Sequence, residues 1–112
     1  MTPAEPLPAG ITSALLRADA YPDDASAAAG IEHVQTHLSH LFLSTRRVYK
    51  LRKAVAFGFV DFGSRAERNA DCAREVALNR RLAPDVYLGI ASVRPAAAGF
   101  RVGVARGQFL PQ

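Results

Sequence analysis

Arg47-Val48-Tyr49-Lys50-Leu51 (residues 47–51), followed by Ser64-Arg65-Ala66-Glu67 (residues 64–67), decides the fold. The first run is rich in β-branched, aromatic and long side chains that alternate in direction, which is the pattern of a strand. The second is a capping box: the serine oxygen can accept one unpaired amide, and the glutamate can reach back for another. A helix is predicted from Arg65 to Leu82, ended by Ala83-Pro84 because proline cannot continue it. Upstream of the strand, Val34, Thr36, Leu38 and His40 fall on one side of an extended chain, with Gln35, His37, Ser39 and Leu41 on the other. Phe42 and Leu43 prolong this run, and Ser44-Thr45-Arg46 turns it into residues 47–51. The expectation is two antiparallel strands over residues 31–51.

Further extended pieces are predicted at Val55–Phe62, with a bend at Gly58, at Val86–Val93 and at Phe100–Val104, with a loop at Arg94–Gly99. Near the start, Ile11, Leu15 and Leu16 mark a short helix over Ile11–Ala18. It opens at Thr12 or Ser13 and is stopped by Tyr21-Pro22. Ala25–Gly30 reads as a loop. The fold class expected is therefore α+β: an antiparallel sheet with one main packed helix and a short N-terminal helix.

The 112 residues are 49% apolar and 21% charged, an ordinary globular composition for one small domain. No long apolar run exists to span a membrane. The first residues lack the basic start of a signal peptide, which makes a cytoplasmic location the expectation. The one cysteine, Cys72, excludes an internal disulfide and a cysteine-based zinc site. It falls on the apolar side of the helix and is expected to be packed rather than reactive. On one continuous strand His33 and His37 point one way and His40 the other, so no metal site is expected.

Charge is uneven. Residues 1–45 hold five acids and one base, and the remainder holds thirteen bases and five acids. Twelve of the bases are arginine, and the two lysines, Lys50 and Lys53, lie together in Tyr49-Lys50-Leu51-Arg52-Lys53. A lysine supplies a compact, mobile ammonium where an arginine supplies a planar fork. On the helix, Cys72, Glu75, Val76, Leu78 and Leu82 share one broad face. Glu75 thus lies among larger apolar side chains and needs a cation, for which Lys50 is the natural partner. The plain interpretation of that pair is a helix-to-sheet ion pair.

The same residues carry a resemblance. Thr36-His37-Leu38-Ser39, Val48-Tyr49-Lys50-Leu51-Arg52-Lys53, Gly58-Phe59-Val60-Asp61-Phe62, and Glu75 through Pro84 with Tyr87-Leu88-Gly89 follow one another in order. This series resembles the aminoglycoside-phosphotransferase-like domain of bacteria, a kinase-like fold often fused to a P-loop ATPase domain. The resemblance starts near Leu15-Leu16 and Tyr21-Pro22 and fades after Val93. It implies a loose leader at 1–14, a kinase-like N-lobe at 15–93, and a divergent tail at 94–112 in which hinge and C-lobe are absent.

By that resemblance, Lys50 would contact the α- and β-phosphates of ATP, and Glu75 would hold the lysine in place. Magnesium would accompany the nucleotide. The Ser44-Thr45-Arg46 turn would lie over the phosphates, although it has no glycine to let backbone approach them closely. Catalytic carboxylates come from the second lobe of such folds, and after Glu75 the sequence offers only Asp85. The implied function is a truncated or partial phosphotransferase domain, an ATP-phosphate half-site that is not catalytic alone and leaves its status as an enzyme open. A second lobe, or self-association through exposed apolar surface, would be its partner. The alternative is a non-catalytic nucleic-acid-binding or protein-interaction module using the basic strand 46–53. Alternation splits that charge between two faces, Arg46, Lys50 and Arg52 against Arg47 and Lys53, which disfavours a single nucleic-acid groove.

Overall fold

The computed structural model describes residues 6–54, 56–57, 60–61, 63–82, 89, 91–97 and 99–103. Within them the protein is α+β, with one main helix and small antiparallel sheets. Three strands form the principal sheet in the order β1 (Glu32–Gln35), β2 (Ser39–Leu43) and β3 (Val48–Arg52). Pairing places Leu41 opposite Lys50 and Ser39 opposite Arg52 on one face. Phe42 opposite Tyr49 and His40 opposite Leu51 fall on the other. That second face is the core face: Phe42 and Leu51 are buried there.

The long strand expected before Ser44 is instead a hairpin. Thr36, His37 and Leu38 form its turn, so three strands stand where two were predicted. The turn is built by a side chain rather than by glycine or proline. Thr36 Oγ1 accepts from the amides of Leu38 and Ser39, at 3.3 and 3.0 Å. The Thr36 amide meanwhile donates to the Ser39 carbonyl at 2.9 Å. A threonine hydroxyl that satisfies local amides competes with strand pairing.

The N-terminal segment closes the core. Helix α1 spans Ile11–Ala14, shorter than the predicted Ile11–Ala18, and its N-cap is Gly10 rather than Thr12 or Ser13. Ile11, Leu15, Ala20, Tyr21 and Ala27 pack with Phe42, Leu51 and Val102 into one cluster. The Tyr21 hydroxyl donates to the Leu15 carbonyl at 2.6 Å, which satisfies the buried phenol. Ala25–Ala29, predicted as a loop, is a 3-10 helix capped by Asp24.

Strands β4 (Ala56–Phe57) and β5 (Val60–Asp61) pair within the extended piece expected at 55–62. The expected bend at Gly58 lies outside the described residues. Next to the tail, β6 (Val93–Ala96) and β7 (Gly99–Val102) form a hairpin. Arg94–Ala96 is therefore strand, not loop. Pro95 is compatible with this because a two-stranded ribbon has outward edges where a missing N–H costs little. Gly99 has φ 135° and sits against Ala14, whose Cβ would lie 3.0 Å from any added Cβ. Only glycine fits that backbone and that contact without strain. The core thus takes in Ile11 and Ala14 before residue 15 and Val102 after residue 93. Most of the strand expected at Val86–Val93 lies outside the described residues.

Helix α2 runs Arg65–Asn79. Ser64 caps it as its sequence predicts, with its hydroxyl accepting the Glu67 amide at 3.1 Å. It ends three residues before the predicted Leu82, where the Asn79 side chain donates to the Glu75 carbonyl at 2.8 Å. The Ala83-Pro84 stop falls outside the described residues. The helix does not bury a broad apolar face. Leu78 is 62% exposed, Leu82 beyond the helix end is 83% exposed, and the only buried residue of α2 is Arg68.

Candidate functional site

The helix meets the sheet through charge. Lys50 lies at the centre of β3, and Glu75 on α2 presents both carboxylate oxygens to its Nζ, each at 3.2 Å. Arg52 lies two residues further along the same strand face. Its Nη2 donates to Glu75 Oε1 and pairs with Asp71 Oδ2 at 2.8 Å. Its Nη1 donates to the Ser39 hydroxyl at 2.9 Å. Asp71 and Glu75 are one helical turn apart, so i,i+2 cations on a strand face i,i+4 acids on a helix.

The two cations are not equivalent. The Arg52 side chain is 8% exposed, and that of Lys50 is 41% exposed. A buried guanidinium with three side-chain partners is a structural fastener, and removing one partner of such a group is costly. Both cations line an open cleft of about 330 Å³ together with Thr36, His37, Leu38, Ser39 and Leu41, but only Lys50 keeps a largely exposed side chain there. An ammonium carries three donors, and Glu75 fixes it from the helix side, leaving it aimed at the cleft rim.

The residues predicted for the site, Lys50 and Glu75, are therefore brought together. The turn expected over the phosphates, Ser44–Arg46, does not border the cleft at Lys50. It is tied to the N-terminal segment instead. The Ser44 hydroxyl donates to Asp24 at 2.7 Å, and the Arg46 amide donates to the Ser26 hydroxyl at 3.3 Å. The turn beside Lys50 is Thr36–Leu38, created by the hairpin that alternation concealed. It too lacks glycine.

Sequence reasoning missed Arg52 and Asp71 as members of the cluster, although spacing held the signal. Arg52 shares the face of Lys50 by alternation, and Asp71 shares that of Glu75 by helical period. Burial removes Arg52 from any exposed basic strand face. Cys72, on the inner side of α2, has its thiol pushed up by burial, which opposes reactivity. Its ionic neighbours pull both ways, Arg52 and Lys50 down and Glu75 and Asp71 up.

The histidines also depart from expectation. Because Thr36–Leu38 is a turn, β1 and β2 run side by side, and His33 Nε2 lies 2.9 Å from His40 Nδ1. His33 stacks flat on Phe42, with ring centroids 4.8 Å apart. His37 is in the turn, away from the pair.

No family model matches the chain, and no solved structure matches it. Over 65 residues, 58% of this chain, it is 38% identical to uncharacterized proteins of Mycobacterium bovis and of two strains of Mycobacterium tuberculosis. The chain spans 13% of the length of these curated relatives. No described helix is long and apolar enough to cross a membrane.

Proposed function

We propose that this protein supplies the phosphate-binding half of a kinase-like nucleotide site, with Lys50 as the phosphate contact and Glu75 as its positioning residue. The observation that carries the reading is the Lys50–Glu75 pair beside a strand–turn–strand cleft. A lysine offered to phosphates must be held in one place, and a carboxylate behind it does so without occupying its outward donors. The order of elements supports the same reading: hairpin turn, lysine-bearing strand, then glutamate-bearing helix.

The residues fit a triphosphate better than they fit its metal. No carboxylate is among the described residues lining the cleft, and Asp71 and Glu75 are already paired with Arg52 and Lys50. Magnesium would enter with ATP, held by phosphate oxygens and water, and would neutralise the phosphate charge. Lys50 would then orient the phosphates, while acceptor activation would fall to carboxylates outside the described residues. A second lobe would supply them, in the same polypeptide or in a partner. Exposed Leu78 and Leu82 would favour such contact, or self-association.

Calorimetric titration with ATP, with and without magnesium, tests the reading. Weak binding in about the millimolar range is expected of a half-site. It should disappear in Lys50→Met while circular dichroism stays that of the wild type. Equal heats from both proteins would refute the assignment. The nucleic-acid alternative predicts salt-dependent retention on DNA that Lys50→Met leaves nearly intact.

A further inference from the structure

We infer that His33 and His40 form a two-histidine clamp for a divalent transition metal of the copper(II) or nickel(II) type. The two ring nitrogens that face each other, His33 Nε2 and His40 Nδ1, are 2.9 Å apart. Two imidazole lone pairs cannot face each other at that distance unless something positive lies between them. Either one ring donates a proton to the other or a cation takes both lone pairs. With metal–nitrogen bonds of about 2.0–2.1 Å, a 2.9 Å separation subtends an angle of about 90° at the metal. That is the cis angle of square-planar and octahedral sites, which suit copper(II) and nickel(II). Tetrahedral zinc would need the nitrogens to stand about 3.3 Å apart.

The surroundings favour preorganisation. His33 is clamped against the buried Phe42 ring, and both histidines belong to paired strands, so little rotamer freedom remains to be lost. Both rings are half-buried, which leaves room for water ligands. Among the described residues no set of three or more His, Cys, Asp or Glu ligands exists, so water would complete the coordination. The clamp would staple β1 to β2 just below the Thr36–Leu38 turn, and it does not depend on the nucleotide reading.

The test is titration of the full chain with copper(II) chloride followed by electron paramagnetic resonance, and with nickel(II) chloride followed by calorimetry. One copper per chain is expected, with two imidazole nitrogens in its hyperfine pattern. His33→Gln and His40→Gln should each weaken binding about a hundredfold by removing chelation, whereas His37→Gln should leave it unchanged. The hyperfine count on the unaltered chain needs no variant and so decides the matter even where a substitution disturbs the hairpin. Copper bound through fewer than two imidazoles, affinity insensitive to His33→Gln, or dependence on His37 would each overturn the clamp and leave the pair as a hydrogen bond only.

Discussion

Asp24 and Glu75 are both carboxylates that gather several donors, yet they do opposite things. Asp24 is 7% exposed and accepts only from neutral groups. Its oxygens take the Ser26 amide and hydroxyl at 3.0 and 2.6 Å, the Ser44 hydroxyl at 2.7 Å and the Tyr49 hydroxyl at 2.8 Å. Burial alone would raise its pKa, but these hydrogen bonds outweigh burial and hold it down to about 2. The partner pays in kind: burial and the Asp24 bond push the Tyr49 phenol up to about 12. This node is closed, and it fastens the N-terminal segment to the sheet. Glu75 accepts from two cations, Arg52, which is buried, and Lys50, which is half-exposed. The lesson is that a carboxylate saturated by neutral donors closes a node, whereas Glu75 holds one cation that stays half-exposed.

Substitutions can break this contrast in a fixed order. The largest effect is expected for Arg52→Ala, which leaves Asp71 with only the exposed Arg74 and removes the buried tie between β3 and α2. Chemical denaturation should show a loss of about 3 kcal/mol, and a loss below 1 kcal/mol would mean the helix is held by something else. Asp24→Asn comes next, at about 2 kcal/mol from hydrogen bonds to a charged acceptor. Its pH signature follows from the sign of the shift. The folded pKa lies below the ordinary 3.8, so Asp24 stabilises the protein fully above about pH 4, and this contribution fades as pH falls toward 2. Unfolding curves across that window should steepen for the wild type relative to Asp24→Asn; parallel curves would contradict the node.

Smaller stability effects sharpen the other side of the comparison. Lys50→Met should cost no more than about 1 kcal/mol, because a half-exposed ion pair contributes little, while removing the ATP response entirely. A stability loss as large as that of Arg52→Ala would make Lys50 a second fastener rather than a ligand contact. Smallest of all, Leu78→Glu with Leu82→Glu should change stability within about 0.5 kcal/mol. Light scattering at high concentration should show less association than the wild type.

Part of this was legible in the sequence. Lys50 and Glu75 could be paired because strand alternation and helical period each assign a face, and Ser64 announced its helix through the spacing to Glu67. The Thr36–Leu38 turn could not be read, because Val34, Thr36, Leu38 and His40 keep a perfect period of two straight through it. The bend comes from one hydroxyl capping two amides, which leaves no glycine or proline to mark it. Missing that turn hid the His33–His40 contact and the turn that borders the cleft beside Lys50. Pro95 misled in the opposite direction, since a ribbon edge tolerates the proline that a central strand would reject. The apolar residues of α2 suggested burial, but its inward side is charged and polar, with Arg68, Asp71 and Glu75 spaced by i+3 and i+4.

The most direct test is an amide nuclear magnetic resonance titration of the full chain with magnesium-ATP, repeated on Lys50→Met. Shifts are expected to concentrate at Thr36–Ser39 and Lys50 in the wild type, with none in the variant. Shifts centred on Ser44–Arg47, or spread over the arginines and unchanged by Lys50→Met, would contradict it.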